Sequence, residues 1–227
     1  TPGAGALLPL FLPLKEAAFR KDSKGRYVAS GKMVAPSIPF GSQWGTVATF
    51  YPDPDVEVTS VDGRVDHSAG APGGVAWATL VAGAGTAASD TTGTAYAFYF
   101  HAGTTSGQFD EIRQSIFLFD TSSIPDGATI DSGTLSLSGS SKNDDLAVTP
   151  DLNIYSSAPA SNTALVGGDY DSLGTTALST AITYTNLSTT GFNDFALNAT
   201  GLLTIAVTGT GISKFGARNA NKVVANS

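Results

Sequence analysis

The fold of this chain is decided by one stretch, Arg113-Gln-Ser-Ile-Phe-Leu-Phe-Asp-Thr-Ser-Ser-Ile-Pro-Asp-Gly-Ala-Thr-Ile-Asp-Ser-Gly-Thr-Leu-Ser-Leu-Ser-Gly139. Residues 116–119 are apolar at every position, which is typical of a strand buried on both faces. The polar run at 122–127 ends in Pro-Asp-Gly and predicts a turn. Leu135 and Leu137 then alternate with Thr and Ser, which predicts a strand with one face in a core and the other in water.

Short strand-like segments continue on both sides of this stretch, and turns rich in Gly, Asp or Asn separate them. A helix is predicted at 200–206, because Leu202, Leu203 and Ala206 would share one face. Residues 222–225 form either a shortened closing strand or a sheet edge left open for another chain. The pattern predicts an all-β fold, a single antiparallel β-sandwich or jelly roll over residues 50–227. Strands are predicted at residues 56–61, 76–81, 94–101, 114–119, 133–138, 151–156, 178–184, 193–197 and 212–217.

Residues 1–49 differ from the rest and are predicted to form an extended N-terminal arm. Prolines at positions 2, 9, 13, 36 and 39 oppose long helices and central strands, so only residues 14–20 could form a helical turn or two. An apolar segment broken by prolines cannot bury itself alone, and we expect it to lie on a neighbouring surface. The alternative is that the arm folds back onto its own sandwich.

Charge also separates the arm from the body. The formal net charge is −7, but residues 1–35 contain six basic and two acidic residues, which gives +4 and leaves −11 for the remainder. A basic arm on an acidic body predicts docking on an acidic neighbour, either another subunit or the body of another copy, with a solvated tail as the alternative. Nucleic-acid binding is not predicted, because four net charges are a small electrostatic footprint. The residues expected to dock are Leu12, Leu14, Lys15, Phe19, Arg20, Lys21, Lys24 and Arg26.

Composition favours a protein that packs against copies of itself or against other subunits. Hydrophobic residues make up 41% of the chain and charged residues only 14%, so Ser, Thr, Gly and Ala must cover much of the surface. The absence of cysteine excludes disulfides, thiolate metal sites and cysteine nucleophiles. No apolar run approaches the roughly 20 residues that a membrane-spanning helix needs, so no membrane partner is predicted.

The sequence offers few candidates for chemistry, and no enzyme activity is predicted. His67 and His101 lie far apart, in a predicted loop and at a predicted strand end, and neither has a second ligand at metal-binding spacing. A G-x-S-x-G nucleophile motif is absent. No cofactor is predicted, although Asp53, Asp55 and Glu57 are weak calcium candidates that lack the glycine and the bidentate glutamate of a calcium loop. Residues 143–145 are a second weak calcium candidate, or a polar turn.

Aromatic residues could serve a sugar ligand or a core. Trp44, Trp77 and the cluster at 96–100 could stack on a sugar ring, but aromatic side chains more often pack inside a core. Two carboxylates facing each other across a cleft could cleave a glycoside. The sequence alone does not show which acidic residues would face each other. Core packing is therefore the predicted role of these aromatic residues.

The stretch from Arg113 to Leu137 resembles the jelly-roll domains called DNRLRE, which are found on secreted surface proteins. Its pattern is Arg-x-x-hydrophobic-x-Phe-Asp-x-Ser-Ser-Ile-Pro-x-Gly-Ala-Thr-Ile-x-x-Gly-Thr-Leu-x-Leu. Together with residues 50–65, 152–159, 169–174 and 212–219, it resembles a β-rich protein of tailed phages that is frequent in environmental viral sequence. This resemblance covers roughly residues 50–220, about the length of one domain.

The resemblance implies a non-enzymatic structural protein of a tailed-phage virion. Such a protein would be a capsid decoration, a head fibre or a tail component that docks through its N-terminal arm and self-associates. Its implied partners are other virion proteins, further copies of itself and a host-surface glycan. The jelly-roll similarity implies equally well a secreted, extracellular module that binds carbohydrate or acts as an adhesin.

Overall fold

The computed structural model describes residues 18–21 and 27–30, for which the backbone alone is considered, and residues 46–91, 98–208 and 211–220. The chain forms two compact units, Thr1–Ala48 and Thr49–Ser227. In the first unit, strand β1 (Ala18–Lys21) pairs antiparallel with β2 (Tyr27–Ser30). Of residues 14–20, where a helical turn was possible, residues 18–20 lie in a strand instead. A single helical turn is marginal in water, whereas the second strand supplies partners for the backbone of β1.

A six-stranded antiparallel sheet forms the larger part of the second unit. Its strands are β3 (Asp62–Ser68), β4 (Ala87–Ser89), β5 (Tyr99–Ala102), β6 (Phe109–Asp120), β8 (Leu152–Ser156) and β10 (Ile212–Asn219). The longest strand, β6, pairs with β3 along one side, and along the other side with β10 near its end and with β5 near its beginning. The order is β4-β3-β6-β10-β8, with β5 also on β6.

A second, two-stranded sheet pairs β7 (Thr134–Ser138) with β9 (Phe192–Ala196). On each of these strands buried and more exposed residues alternate, so that Leu135 and Phe195 face inward while Thr134 and Phe192 do not. Such alternation is expected where only one face of a sheet meets a core. The turn that leads from β6 to β7 therefore carries the chain from one sheet to the other.

Two apolar clusters lie against the large sheet, one on each face. Phe117, Ile154 and Phe215 cluster with Leu135 and Phe195 of the small sheet, which makes the body a β-sandwich. Side chains of the opposite face, such as Ile116, cluster with Leu80 of helix α1 (Trp77–Val81) and Tyr170 of a 3-10 helix (Gly167–Ser172). The all-β sandwich predicted from the sequence is confirmed.

Most predicted elements that have a clear apolar pattern are found. Residues 114–119, 133–138, 151–156, 193–197 and 212–217 lie in or overlap strands, and the predicted helix at 200–206 is found as α2 (Ala199–Leu203). For the predicted strand at 94–101 the structure describes its end, which lies in β5. The predicted element at 222–225 lies outside the described residues, and so does most of the arm.

Three strand predictions are wrong. Residues 76–81 form α1, where Trp77, Leu80 and Val81 recur at helical spacing and join one cluster. A short apolar run cannot be assigned to strand or helix by periodicity alone. Residues 178–184 form only isolated bridges and part of a 3-10 helix (Tyr184–Asn186), and residues 56–61 form a loop. His67, expected in a loop, lies in β3, whereas His101 lies near the end of β5 as expected.

Candidate functional site

The loop that opens the body is organised by one carboxylate oxygen, Oδ2 of Asp53. It accepts hydrogen bonds from the amides of Val58, Thr59 and Ser60 at 3.0, 2.6 and 3.2 Å, and from Thr59 Oγ1 at 2.9 Å. The amide of Asp53 in turn donates to Ser60 Oγ at 3.1 Å. A side chain that takes the backbone amides of a segment removes them from strand pairing. This is the physical reason why residues 56–61 do not form the predicted strand.

The same hydrogen bonds favour the charged form of Asp53. The backbone amide of Thr59 contributes most, and together the donors outweigh partial burial and lower the pKa of Asp53 to about 2. A folded-state pKa below the ordinary value of 3.8 means that ionisation of Asp53 stabilises the fold above about pH 4. That contribution is lost as the pH falls through about 2.

Replacing Asp53 by asparagine should therefore lower the free energy of unfolding by about 1 kcal/mol at neutral pH, a low value for a charged hydrogen-bond acceptor because the site is partly solvated. The deficit should disappear as the pH falls from about 4 to about 2. Urea unfolding across this range measures it, and Asp131→Asn, at an exposed carboxylate, is the matched control. An equal deficit at all pH values would contradict the assigned role.

Glu57 and Asp55 form a pair within this loop. Burial raises the pKa of Glu57, and a side-chain hydrogen bond with Asp55 and repulsion from Asp55 and Asp90 add to the increase. Glu57 therefore keeps its proton to a higher pH than an isolated glutamate does.

The weak calcium candidates make separate contacts. Oδ2 of Asp53 is taken up by backbone donors, while Glu57 contacts Asp55. Among the residues that the structure describes, no group of three His, Asp or Glu side chains is placed to hold a metal ion. The structure gives Asp53 the role of a loop cap.

Residues 143–145 form a polar turn. The carboxylate of Asp144 accepts hydrogen bonds from the amides of Val148 and Thr149 at 2.9 and 2.7 Å, and Asn143 Nδ2 donates to Asp145 Oδ2 at 2.8 Å. This is the turn chemistry of Asp and Asn, whose short side chains bond to nearby backbone amides. The geometry matches the turn interpretation of this segment.

The two histidines lie in separate surroundings. Nδ1 of His67 contacts the carbonyl oxygen of Ala84, and its ring lies 5.6 Å from the ring of Tyr170. Nδ1 of His101 lies 2.8 Å from Asp110 Oδ1, and both side chains are exposed. Each contact uses one ring nitrogen and holds the imidazole in one orientation. The structure therefore does not bring the two histidines together into one site.

A charged group on β3, β5 and β6, here called the sheet cluster, consists of Arg64, Asp66, Tyr99, Glu111 and Arg113. Arg113 lies opposite both Asp66 and Tyr99 in the strand register. Its Nε lies 2.8 Å from Asp66 Oδ1 and its Nη2 lies 2.8 Å from Glu111 Oε1. Arg64 Nε approaches Asp66 Oδ2 at 3.3 Å, and the guanidinium carbon of Arg113 lies 4.7 Å from the centre of the Tyr99 ring.

The hydrogen bond and the pKa of Tyr99 indicate the protonation state of this side chain in the sheet cluster. Tyr99 Oη donates to Glu111 Oε2 at 2.9 Å. Burial and this hydrogen bond raise the pKa of Tyr99 to about 12, so the phenol keeps its proton at neutral pH. A protonated phenol is neither a nucleophile nor a general base. The contacts pair the charges and link three strands.

The candidate sugar-stacking aromatic residues are largely internal. The Trp77 ring lies 5.2 Å from the ring of Phe100 and 5.0 Å from that of Phe109, both edge to face. Phe98 packs against Phe117 with ring centres 6.5 Å apart. Core packing is thus found for Trp77, Phe98 and Phe100, while Tyr99 belongs to the sheet cluster. Trp44 and residue 96 lie outside the described residues.

Arg218 is an unusual residue that the sequence analysis did not identify. It is only 5% exposed, and its guanidinium carbon lies 4.5 Å from the centre of the Tyr155 ring. Its Nη2 donates to the carbonyl oxygen of Gly174, and burial lowers the pKa of Arg218. No ion pair joins it to a carboxylate in the described part of the chain. The signal in the sequence was a cation inside the strand-like run 212–219.

The residues expected to dock lie largely outside the described residues. Phe19, Arg20 and Lys21 belong to β1, and the structure describes only their backbone. Leu12, Leu14, Lys15, Lys24 and Arg26 fall outside the described ranges. Docking by the arm therefore stays a prediction.

An exposed apolar group lies on the loop that Asp53 organises. This group, here called the loop surface, consists of Tyr51, Val56 and Val58, which are 77%, 87% and 79% exposed. Val58 also lines a depression of about 250 Å³, together with residues from the end of β6 and the start of β10. Among the described residues, the lining consists of Val58, Thr59, Asp120, Asn162, Thr163 and Ile212.

The arrangement was compared with known proteins. Comparison with protein-family models, with curated proteins and with solved structures gave no match. Across the described ranges, no helix is long and apolar enough to span a membrane. The site must therefore be interpreted from its own geometry.

Proposed function

We propose that this protein is a non-enzymatic structural component of a tailed-phage particle, localised to the virion. It would be a capsid decoration, a head fibre or a tail component that attaches through its N-terminal arm and self-associates. Its partners would be other virion proteins and further copies of itself. The resemblance of residues 113–137 to jelly-roll surface domains and of residues 50–220 to a phage protein motivates this proposal.

The observation that carries the proposal is the loop surface. Tyr51, Val56 and Val58 are each more than three-quarters exposed, although they are large apolar side chains close together in sequence. The Asp53 hydrogen bonds hold Val58 and Thr59 in place, so the exposure follows from an ordered loop. Apolar side chains grouped on a surface are typical of contact sites with another molecule. This supports an assembly role for the body.

The contacts of the titratable groups support a non-enzymatic role. Tyr99, Glu111 and Arg113 are paired with one another in the sheet cluster. His101 pairs with Asp110 and His67 contacts a backbone carbonyl. These contacts link strands and loops, and a scaffold protein needs such links.

A secreted carbohydrate-binding or adhesive module is the second candidate, and Tyr51 is the observation that favours it. An aromatic ring that is 77% exposed could stack on a sugar ring. The same ring serves equally well in a protein contact. Sedimentation with particles separates the two functions, because an adhesin binds glycans as a free monomer, whereas a virion protein joins particles even if it also contacts a host glycan.

Deleting residues 1–35 should remove most of the protein from purified particles, because the arm supplies the basic and apolar groups expected to dock. Quantitative mass spectrometry of particles assembled with each form measures the occupancy. A full-length variant with Lys15, Arg20 and Lys21 changed to glutamine is the matched control for charge. It should lose occupancy in part, since it keeps the apolar residues of the arm.

One outcome would contradict the proposed function: the full-length protein does not sediment with particles. A monomer that stays off particles and binds a glycan array, with the binding abolished by Tyr51→Ala, would instead support the secreted module. Normal occupancy of the truncated protein would instead show that the arm is not the anchor.

A further inference from the structure

The loop surface and the adjoining depression differ from the rest of the described surface in two respects. Most of the other large exposed apolar side chains of the body, such as Val166, Phe192 and Leu203, lie on separate elements. Here three such side chains belong to one loop, and one of them, Val58, also lines the depression. An apolar partner and a side chain inserted into the depression could therefore be bound at the same place.

The depression suits a long basic side chain. Val58 and Ile212 supply an apolar wall and Asp120 supplies a carboxylate, while none of the described lining residues is basic. Hydrogen bonds from the side chain and the amide of Ser122 lower the pKa of Asp120, so it is charged at neutral pH. Lys and Arg bury an aliphatic stem against apolar surface while the charged head meets a carboxylate. The lining combines both features.

The chain itself contains a segment with this chemistry. Residues 12–26 place Leu12, Leu14 and Phe19 next to Lys15, Arg20 and Lys21. Residues 1–35 carry +4, against −11 for the remainder of the chain. Apolar residues of such a segment would cover the loop surface, and one basic residue would enter the depression beside Asp120.

We propose that the loop surface and the depression beside Asp120 are the docking site for residues 12–26 of a second copy of this chain. The proposal rests on the proposed function, because self-association is what an assembly protein requires, and it names the partner. Each copy then carries one docking segment and one docking site, so association is heterologous or reciprocal. Burial of the apolar side chains supplies affinity, and the charges set specificity and salt dependence.

The full-length protein should form dimers or larger assemblies, measured by light scattering after size-exclusion chromatography over a range of concentrations. The double variant Val56→Ser/Val58→Ser should associate at least about tenfold more weakly, since two apolar side chains lose their burial. The matched control is Phe192→Ser/Leu203→Ser, which removes two side chains that are 70% and 86% exposed elsewhere on the body. It should associate like the unmodified protein. Circular dichroism confirms that each variant is folded.

A mixing experiment separates a second copy from the arm of the same chain. The full-length variant Lys15→Glu/Arg20→Glu/Lys21→Glu keeps an intact docking site, and Val56→Ser/Val58→Ser keeps an intact arm. Each alone should associate weakly, whereas an equimolar mixture should form a one-to-one complex. Docking of each arm on its own body predicts no complex in the mixture.

The proposal is overturned if the unmodified protein is monomeric, if both double variants associate equally, or if the mixture does not form a complex. These outcomes are independent of particle sedimentation. A protein that sediments with particles but fails the mixing experiment retains the proposed function and loses this docking site. A protein that passes the mixing experiment but never sediments with particles retains the docking site and loses the proposed function.

Discussion

Replacing Phe195 by alanine should lower the free energy of unfolding by about 3 to 5 kcal/mol, the usual cost of removing a buried aromatic side chain. Phe195 is 1% exposed and belongs to the apolar cluster between the two sheets, where it lies opposite Leu135 in the strand register. The small sheet has only two strands, so the loss weakens its attachment to the large sheet. Chemical denaturation followed by tryptophan fluorescence measures the effect.

The control for this variant lies on the same strand. Phe192→Ala removes the same side chain from a position that is 70% exposed. It should change the free energy of unfolding by no more than about 0.5 kcal/mol, as is usual for surface positions. Equal losses at the two positions would mean that the two sheets do not pack through Phe195.

Replacing Gly85 by alanine should cost about 2 to 3 kcal/mol or more, because the new Cβ has no space. It would lie 1.8 Å from the carbonyl oxygen of Gly167 and 2.4 Å from Cβ of Tyr170. The first of these is a backbone atom, so the 3-10 helix that carries Tyr170 would have to move. Thermal or urea unfolding measures the loss.

Gly168→Ala is the control, since a Cβ added there meets nothing within 4 Å. It should be neutral or slightly stabilising, because alanine restricts the unfolded chain. Should Gly85→Ala unfold like the unmodified protein, the close contact between residues 85 and 167 would be contradicted.

The strands with strong local patterns could be predicted from the sequence. In β6 the run 116–119 is apolar at every position, and the structure places Ile116 and Phe117 in the two opposite clusters. In β7 the alternation of Leu with Thr and Ser corresponds to a buried and a solvent-facing side. Periodicity of this kind depends only on neighbouring residues, so it is visible without the fold.

Strand β3 shows why other elements were missed. Its sequence, Asp-Gly-Arg-Val-Asp-His-Ser, has little apolar alternation. It is held instead by its pairing with β6 and by the ion pair of Asp66 with Arg113. Gly63 is needed because a Cβ there would lie 2.5 Å from the carbonyl oxygen of Ser89. These partners are distant in sequence, so no local pattern predicts them.

Some features of the candidate site could also be read from the sequence, and others could not. The acidic residues of 53–57 and the basic residues of the arm were visible as charge, and they motivated both the calcium and the docking hypotheses. The hydrogen bonds of Asp53 to Val58, Thr59 and Ser60 were not visible, because they depend on how the loop closes. The exposure of Val56 and Val58 follows from that closure. In the strand predicted at 56–61, these side chains would have been partly buried against a neighbouring strand.

Apolar and polar periodicity was thus enough to establish an all-β body and the approximate positions of its clearest strands, because that periodicity reflects which side of each strand meets water. Long-range contacts decided the rest: the order of the strands, the helical form of residues 77–81, the pairing of Arg113 and the burial of Arg218. These features depend on distances between residues far apart along the chain. Such distances exist only after the two sheets have packed together.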